Sequence, residues 1–450
     1  MTVAGPPGER DPAGSADQNV RWFIVFRVLF NARFYYPVMA ILFLDLGLSL
    51  TEYALLNVAW AAAIVLLEVP SGALADLLGR KRLVVFAGFL MVLEMAVFSF
   101  TPRDQPTLMF WLFLLNRVIS GAAEACASGA DEALVYDSLK NCGRENEWPR
   151  VLERLVRWQS GGFFVAMIIG AAVFDPHVIT EVFRLAGNGA TFTSSETTRW
   201  PVYLTLATSL VTVFAALRLH ETPIVRAAPV SVATAYRQIL AAGAWIFGSP
   251  LALFVIVATI CNDSFIRLFL TVGSQYYRLI QLPPALFGFI GAGFALLGYA
   301  APWIARRLIA RESPAWAYGV VSIFTLIGLG GLSFALPYVG LIFPLFLGMA
   351  MSVLNFLTSH YLNEAADPAR RATILSFRGL AVNLAYGGAG ILFAGLLRML
   401  RTTHPANHAV NSDDDLFLVA LGWLPWIFAG LVAGVWLRLA RTIGRRGAGD

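Results

Sequence analysis

Apolar runs of about 20 residues recur along this chain at intervals of roughly 30 to 40, and that rhythm constrains the fold more than any single residue does. About 20 residues of helix cross a ~30 Å hydrocarbon layer, so each run matches one crossing. Helices are required because lipid offers nothing to satisfy backbone N–H and C=O groups, and the runs are too long for barrel strands. Composition agrees. With 58% hydrophobic residues, 14% charged residues and a mean hydropathy of +0.68, the chain has too much apolar surface for a water-soluble core. The predicted fold class is an all-α membrane protein with twelve spans at about 21–46, 51–74, 83–101, 107–136, 151–174, 201–219, 250–272, 284–305, 315–335, 338–361, 373–399 and 416–438.

Basic residues orient these spans. An even number of crossings with the N-terminus inside collects Arg80 to Arg82, Lys140 through Arg157, Arg218 to Arg237, Arg306 to Arg311, Arg370 to Arg378 and Arg438 to Arg446 on one side. Roughly 23 basic residues then lie inside and about 6 outside, as the positive-inside rule requires. Both termini are expected in the cytoplasm and the chain in the plasma (inner) membrane. The net charge of +5 follows from this loop bias and matches anionic lipid headgroups; no basic helix or aromatic-basic interleaving suggests nucleic acid. Residues 1–19, polar and rich in proline and glycine, are expected to be a disordered cytoplasmic N-terminus and not a signal peptide. The longest inside connection, 220–249, separates 20–219 from 250–440, six spans each, and leaves 441–450 as a tail. Within it, Ser231 to Leu240 has the pattern of a short amphipathic helix. The three cysteines and five histidines are scattered without metal-type spacing, and no Walker loop occurs, so no cofactor, metal or nucleotide is expected.

Between the second and third runs lies Gly72-Ala-Leu-Ala-Asp76-Leu-Leu-Gly79-Arg80-Lys81-Arg82. Glycine at 72 and 79 suits close helix approach and backbone angles that side chains forbid. Asp76 is a negative acceptor placed to meet the positive N-terminal end of another helix, or to cap a local turn. This pattern resembles the loop between helices 2 and 3 of the major facilitator superfamily, a family of membrane transporters. Arg117-Val-Ile-Ser-Gly121-Ala-Ala resembles that superfamily's helix 4 motif, departing from it at Ser120, where glutamine is usual. A weak parallel repeat points the same way: Gly298 to Arg307 is a degraded counterpart of the first hinge that lacks the aspartate. The chain is thus similar to a bacterial-type twelve-helix member, and the resemblance implies two pseudo-symmetric six-helix bundles. It also implies that Asp76 meets the start of helix 11, near Arg371 to Leu375, as a conformational latch. Asp137, at the inside end of helix 4, could bridge Arg80 or Arg82 and close that network.

Charged residues inside spans are costly and are functional candidates by default. Arg117, Glu124 and Asp131 follow at seven-residue steps, two helical turns with a drift of only ~20° per step, so a continuous helix 4 would carry them on one face with Ser120, Gly121 and Ser128. A structural ion pair between Arg117 and Glu124 is the alternative. Helix 7 carries Asp263 and Arg267, four apart and able to pair. Helix 1 carries Asn31, Arg33 and Tyr35, and helix 10 carries Asn355. In the superfamily, helices 1, 4, 7 and 10 line the central cavity. Glu68 is assigned to the basic loop, and Glu94 has no evident partner.

Helix 5 lacks the glycine-proline pair of the superfamily's drug antiporters. The expected function is therefore a secondary active transporter, proton-coupled, moving a small organic solute by alternating access, and not an enzyme. Arg33 and Arg117 are candidates for substrate contact or coupling, as is Arg267. Glu124, Asp131 and Asp263 are candidates for protonation, with Glu94 also possible, and Asn31, Tyr35 and Asn355 for substrate hydrogen bonds. The expected partners are the solute, protons and the lipid bilayer, with the chain acting as a monomer. A multidrug or toxic-compound efflux antiporter is the alternative, and a non-transporting sensor or assembly factor on the same fold is the rival from another class.

Overall fold

The apolar runs are helices in the computed structural model, which describes residues 12–221, 232–311, 313–366, 371–403 and 412–440. In chain order they are α1 (Pro12–Asn31), α2 (Met39–Asp45), α3 (Leu50–Leu78), α4 (Arg80–Phe100), α5 (Pro106–Ala127), α6 (Ala130–Asn141), α7 (Trp148–Phe174), α8 (Pro176–Leu185), α9 (Ser194–Thr197), α10 (Trp200–Leu217), α11 (Val232–Gly248), α12 (Pro250–Leu279), α13 (Phe287–Ile309), α14 (Pro314–Leu332), α15 (Ile342–Ala365), α16 (Arg371–Thr403) and α17 (Asp413–Val435). Among the described residues, 11 helices are long and apolar enough to cross a membrane, and 12 if the bent α13 counts as one crossing. That bend of 41° falls between Gly298 and Ala300. Its cause is Pro302, which has no N–H for the carbonyl four residues earlier and whose ring clashes with it.

Sequence signals set many of the helix starts. Ser49 and Glu52 form a reciprocal capping box before α3, and Ser412 and Asp415 do the same before α17. Ser249 and Ser313 each cap a helix whose first residue is proline. Many large apolar side chains are exposed, including Leu66, Leu392 and Trp426, as a lipid-facing surface requires.

Two spans expected to be continuous are broken. The first splits into α1 and α2, with residues 32–35 irregular and a 3-10 turn at Tyr36–Val38. The fourth splits at Ser128–Gly129, where Gly129 takes φ +76 between α5 and α6. The N-terminal expectation also changes: residues 12–19 are helical, and Asn19 is 1% exposed. Its amide holds Ser138 Oγ at 2.7 Å and both the carbonyl (3.0 Å) and the N–H (2.7 Å) of His220. Burial and these partners order a segment whose composition alone reads as loose. Residues 1–11, the loop 222–231 and the tail 441–450 lie outside the described residues. The segment expected as a short amphipathic helix belongs to the longer α11, which packs Gly243 against Phe377 of α16.

Helices α1 to α10 form one bundle and α12 to α17 the other, as the all-α two-bundle class requires. Contacts between them run through α3 with α16, α7 with α13, and α2 with α12. The end of the molecule holding the α3–α4 turn is called the hinge face below, and the opposite end the far face.

Candidate functional site

The break in helix 1 positions the first charged group. Asn31 ends α1 by donating from Nδ2 to the Arg27 carbonyl at 2.9 Å, a local cap and not a cavity contact. Irregular backbone at this depth needs outside partners. Thr205 Oγ1 accepts from Phe34 N at 3.1 Å, and α7 comes so near that a Cβ on Gly170 would fall 1.7 Å from the Phe34 carbonyl oxygen. The break turns Arg33 into the bundle. Its Nη1 lies 2.5 Å from Glu94 Oε1 and 3.1 Å from the Tyr35 hydroxyl, and Arg117 Nη2 stands 3.7 Å from the same Glu94 oxygen. Asn116 braces both, donating to the Glu94 carbonyl at 2.7 Å and accepting from Arg117 Nε at 3.1 Å. Glu94 is 0% exposed and Arg33 and Arg117 are each 3% exposed, so two guanidiniums share one sealed carboxylate. Arg33, Arg117 and Tyr35, expected at the substrate, are committed here.

One turn further along α5, a Cβ on Gly121 would meet Ala63 at 2.6 Å and the Trp60 carbonyl at 2.8 Å. α5 and α3 therefore touch, and the contact separates the sealed triad from what lies below it. There a cavity of about 210 Å³ opens, lined by Trp60, Glu68, Glu124, Ser128 and Asn383 among others. Its walls come from α3, α5 with its break, and α16, and not from helices 1, 7 and 10 as expected. Glu124 makes no ion pair with Arg117. Neither Glu124 nor Glu68 has a basic group within 4.0 Å among the described residues, and Glu68 Oε2 is buried without a hydrogen bond. Glu68, assigned from the sequence to the basic loop, belongs to this cavity.

Asp131, the third member of the expected stripe, goes elsewhere because the Ser128–Gly129 break ends the helix before it. It is fully buried, accepting from Arg27 Nη2 at 3.0 Å and from the Glu132 N–H at 2.7 Å, and so pins α1 to α6. The seven-residue spacing thus leads to three different environments.

Behind the α16 wall, Arg267 donates to Asp263 Oδ1 and to Asn383 Oδ1, both at 2.8 Å, with its guanidinium 5.3 Å from the Tyr386 ring centre. Asn383 reaches the cavity, so it links this pair to the space facing Glu124. Asn355 is exposed and accepts from Arg378 Nη2 at 3.1 Å. Sequence reasoning found Asp263, Arg267 and Asn355 but missed Arg378, Asn383 and Tyr386. The available signal was an arginine and an asparagine inside the apolar run of α16.

At the hinge, Gly79 has φ +102, and a Cβ there would lie 2.7 Å from Glu221 Oε2. Glu221 accepts from the N–H groups of Arg80 and Lys81 at 3.1 Å each, capping the positive start of α4 from the end of α10. Arg80, and not the exposed Arg82, pairs with Asp137 and also donates to the Ala133 carbonyl at 2.7 Å. Gly72 is an ordinary helical residue with open space where a Cβ would sit, so the close approach expected there is absent. The Asp76 side chain and residues 367–370, which precede α16, lie outside the described residues.

Polar contacts between the bundles gather on the far face. Asp45 and Arg278 pair at 2.5 Å, and Ser274 Oγ accepts from the N–H groups of Ala40 (2.9 Å) and Ile41 (3.2 Å). The Tyr53 hydroxyl donates to the Thr271 carbonyl at 2.9 Å, and Asp175 Oδ2 accepts from Ala285 N–H at 3.2 Å. A cavity between bundles that are tied at one end is the geometry of a carrier. A sequence profile described as Major Facilitator Superfamily matches residues 21–390. The chain belongs to the major facilitator superfamily.

Solved superfamily structures share its fold at low identity. The nucleoside transporter NupG is 15% identical with a TM-score of 0.67, the match covering 92% of this chain and 98% of that one. A bacterial homologue of the human lysosomal transporter Spinster, solved inward-facing and unoccupied, is 13% identical with a TM-score of 0.67 and 98% coverage of each chain. A D-xylose-proton symporter is 12% identical with a TM-score of 0.65, covering 94% of this chain and 98% of that one. No curated protein matches the sequence. As a superfamily member the chain is a multi-pass membrane transporter and not an enzyme.

Proposed function

We propose that this superfamily member is a proton-coupled secondary transporter of a small organic solute, with Glu124 as the proton-carrying group and Glu68 as its partner. One observation carries the reading: these two carboxylates share a cavity between the bundles, and neither has a basic partner within 4.0 Å among the described residues. The other candidates are occupied. Glu94 holds Arg33 and Arg117, Asp131 holds Arg27, and Asp263 holds Arg267. An unpaired carboxylate closed off from water costs several kcal/mol, about 2.5–3.5 on insertion scales, and protonation removes that cost. Closure of the cavity would therefore favour the protonated acid and opening would favour its release. Flux of the solute is tied in this way to flux of protons.

In this reading the protein lies in the plasma membrane with both termini in the cytoplasm, and residues 20–219 and 250–440 rock as bodies about the cavity. The hinge face is then cytoplasmic and the far face, tied by Asp45–Arg278, is the closed outer gate. Asp76 acts with the start of α16 as a latch, while Arg80, Asp137 and Glu221 keep the hinge in shape. Arg33, Arg117 and Tyr35 hold the upper part of the bundle, and Arg267, Asn383 and Asn355 meet solute.

The test is flux in proteoliposomes across a compound panel under an imposed pH gradient. Wild-type flux is expected to rise several-fold with the gradient, and Glu124→Gln to keep solute exchange at zero gradient while losing that rise. An unchanged rise in both Glu124→Gln and Glu68→Gln would remove the assignment.

A further inference from the structure

The cavity has carboxylates on one wall, and arginines stand behind the helix that forms the other. The carboxylates, on the α3–α5 side, are those of Glu68 and Glu124. The opposite wall is Asn383 of α16, and behind it stand two guanidiniums and one carboxylate of α12 and α16. Arg267 is engaged by Asp263 and Asn383, whereas Arg378 donates to the neutral amide oxygen of Asn355 and has no carboxylate within 4.0 Å among the described residues. Asp263 is 3% exposed and keeps Oδ2 without a hydrogen bond, an acceptor left unfilled beside these arginines. α16 approaches the acidic wall closely, because a Cβ on Gly379, the neighbour of Arg378, would lie 3.9 Å from Glu68 Oε1. Arg378 is thus carried on the helix that comes near Glu68, yet it pairs with neither Glu68 nor Glu124.

Opposite charges in a poorly screened space attract strongly, so their separation leaves room for something that satisfies both. A purely cationic solute would leave Arg378 unmatched, and a purely anionic one would face two carboxylates. A neutral solute would leave the carboxylates and Arg378 alike unmatched. We propose that the transported solute is a zwitterion of the amino-acid class, with its ammonium against Glu68 and Glu124 beside the Trp60 ring and its carboxylate on Arg378. The indole face adds a cation–π contact, and a guanidinium suits a planar carboxylate through paired N–H donors. Asn355 and Asn383 supply the flanking amide hydrogen bonds. This assignment rests on the reading of the cavity as the transport site.

The experiment uses the full-length protein in detergent and matched sets of three probes: an amino acid, the amine left by removing its carboxylate, and the acid left by removing its amino group. Binding is read by thermal shift and titration. For at least one set the amino acid should bind at least about tenfold more tightly than its amine or its acid. Arg378→Gln should abolish the preference over the amine, and Arg378→Lys should restore part of it. An amine or acid that equals the amino acid in every set, no binding by any amino acid, or an equal loss for all three probes in Arg378→Gln would overturn the proposal. Trp60→Leu separates the two levels. If it leaves every probe's binding unchanged, the cavity is not the transport site. If it weakens amines or acids alone, the cavity stands and the zwitterion fails.

Discussion

Each bundle sets two guanidiniums against one carboxylate, Arg33 and Arg117 around Glu94 in the first, Arg267 and Arg378 near Asp263 in the second. The residue types match, but the surroundings do not. The break at residues 32–38 drives Arg33 inward, and the α3–α5 contact at Gly121 closes the triad from below, leaving Glu94 at 0% exposure. In the second bundle Arg267 keeps 25% of its side chain exposed and shares Asn383 with the cavity. A sealed charge cannot change partners without a large cost, while a charge at a cavity edge can trade a protein partner for a solute. In the function proposed above, the first cluster holds the bundle together and the second meets the solute.

The harshest way to break this contrast is to remove each carboxylate. Glu94→Ala leaves two buried guanidiniums uncompensated and is expected to cost about 3–5 kcal/mol, seen as a large fall in the melting temperature of the purified protein. Asp263→Asn should lower solute flux much more than melting temperature. Equal destabilisation by the two would show that both clusters are structural. A finer test is Arg267→Lys, which keeps the charge but loses the planar fork between Asp263 and Asn383. The expected loss is about 1–2 kcal/mol in solute binding, roughly tenfold, with stability nearly unchanged. The corresponding Arg33→Lys should instead lower stability and leave the relative affinities of bound solutes alone. The smallest effect belongs to the exposed far-face pair. Asp45→Asn is expected to shift the balance of states by about 0.2–1 kcal/mol. It would be read as a few-fold rise in labelling of a cysteine placed in the cavity from the far side, and no rise would exclude the pair from the gate.

Helix number and membrane class were legible because bilayer thickness prices every apolar run alike, whatever its neighbours. The Gly79 turn was legible too, since a positive φ is a local demand that glycine meets, whereas the Arg80–Asp137 pair joins residues 57 positions apart. The site was only partly so. Glu124 and the Asp263–Arg267 pair were found, but Glu68 was assigned to the basic loop and Asn383 was missed because α3 and α16 meet across the bundles, between residues more than 300 positions apart in the chain.

What the amino-acid order determined by itself is what local physics can enforce: twelve apolar segments, their basic loops, and a charged spacing on helix 4. Tertiary structure decided which of those charges are spent. A break at Ser128–Gly129 sends Asp131 to Arg27, and a break after Asn31 sends Arg33 to Glu94. Glu124 is left without an arginine within 4.0 Å among the described residues. A charge's role depends on which partner comes within a few ångströms, and that distance is set by helix packing and not by spacing along the chain.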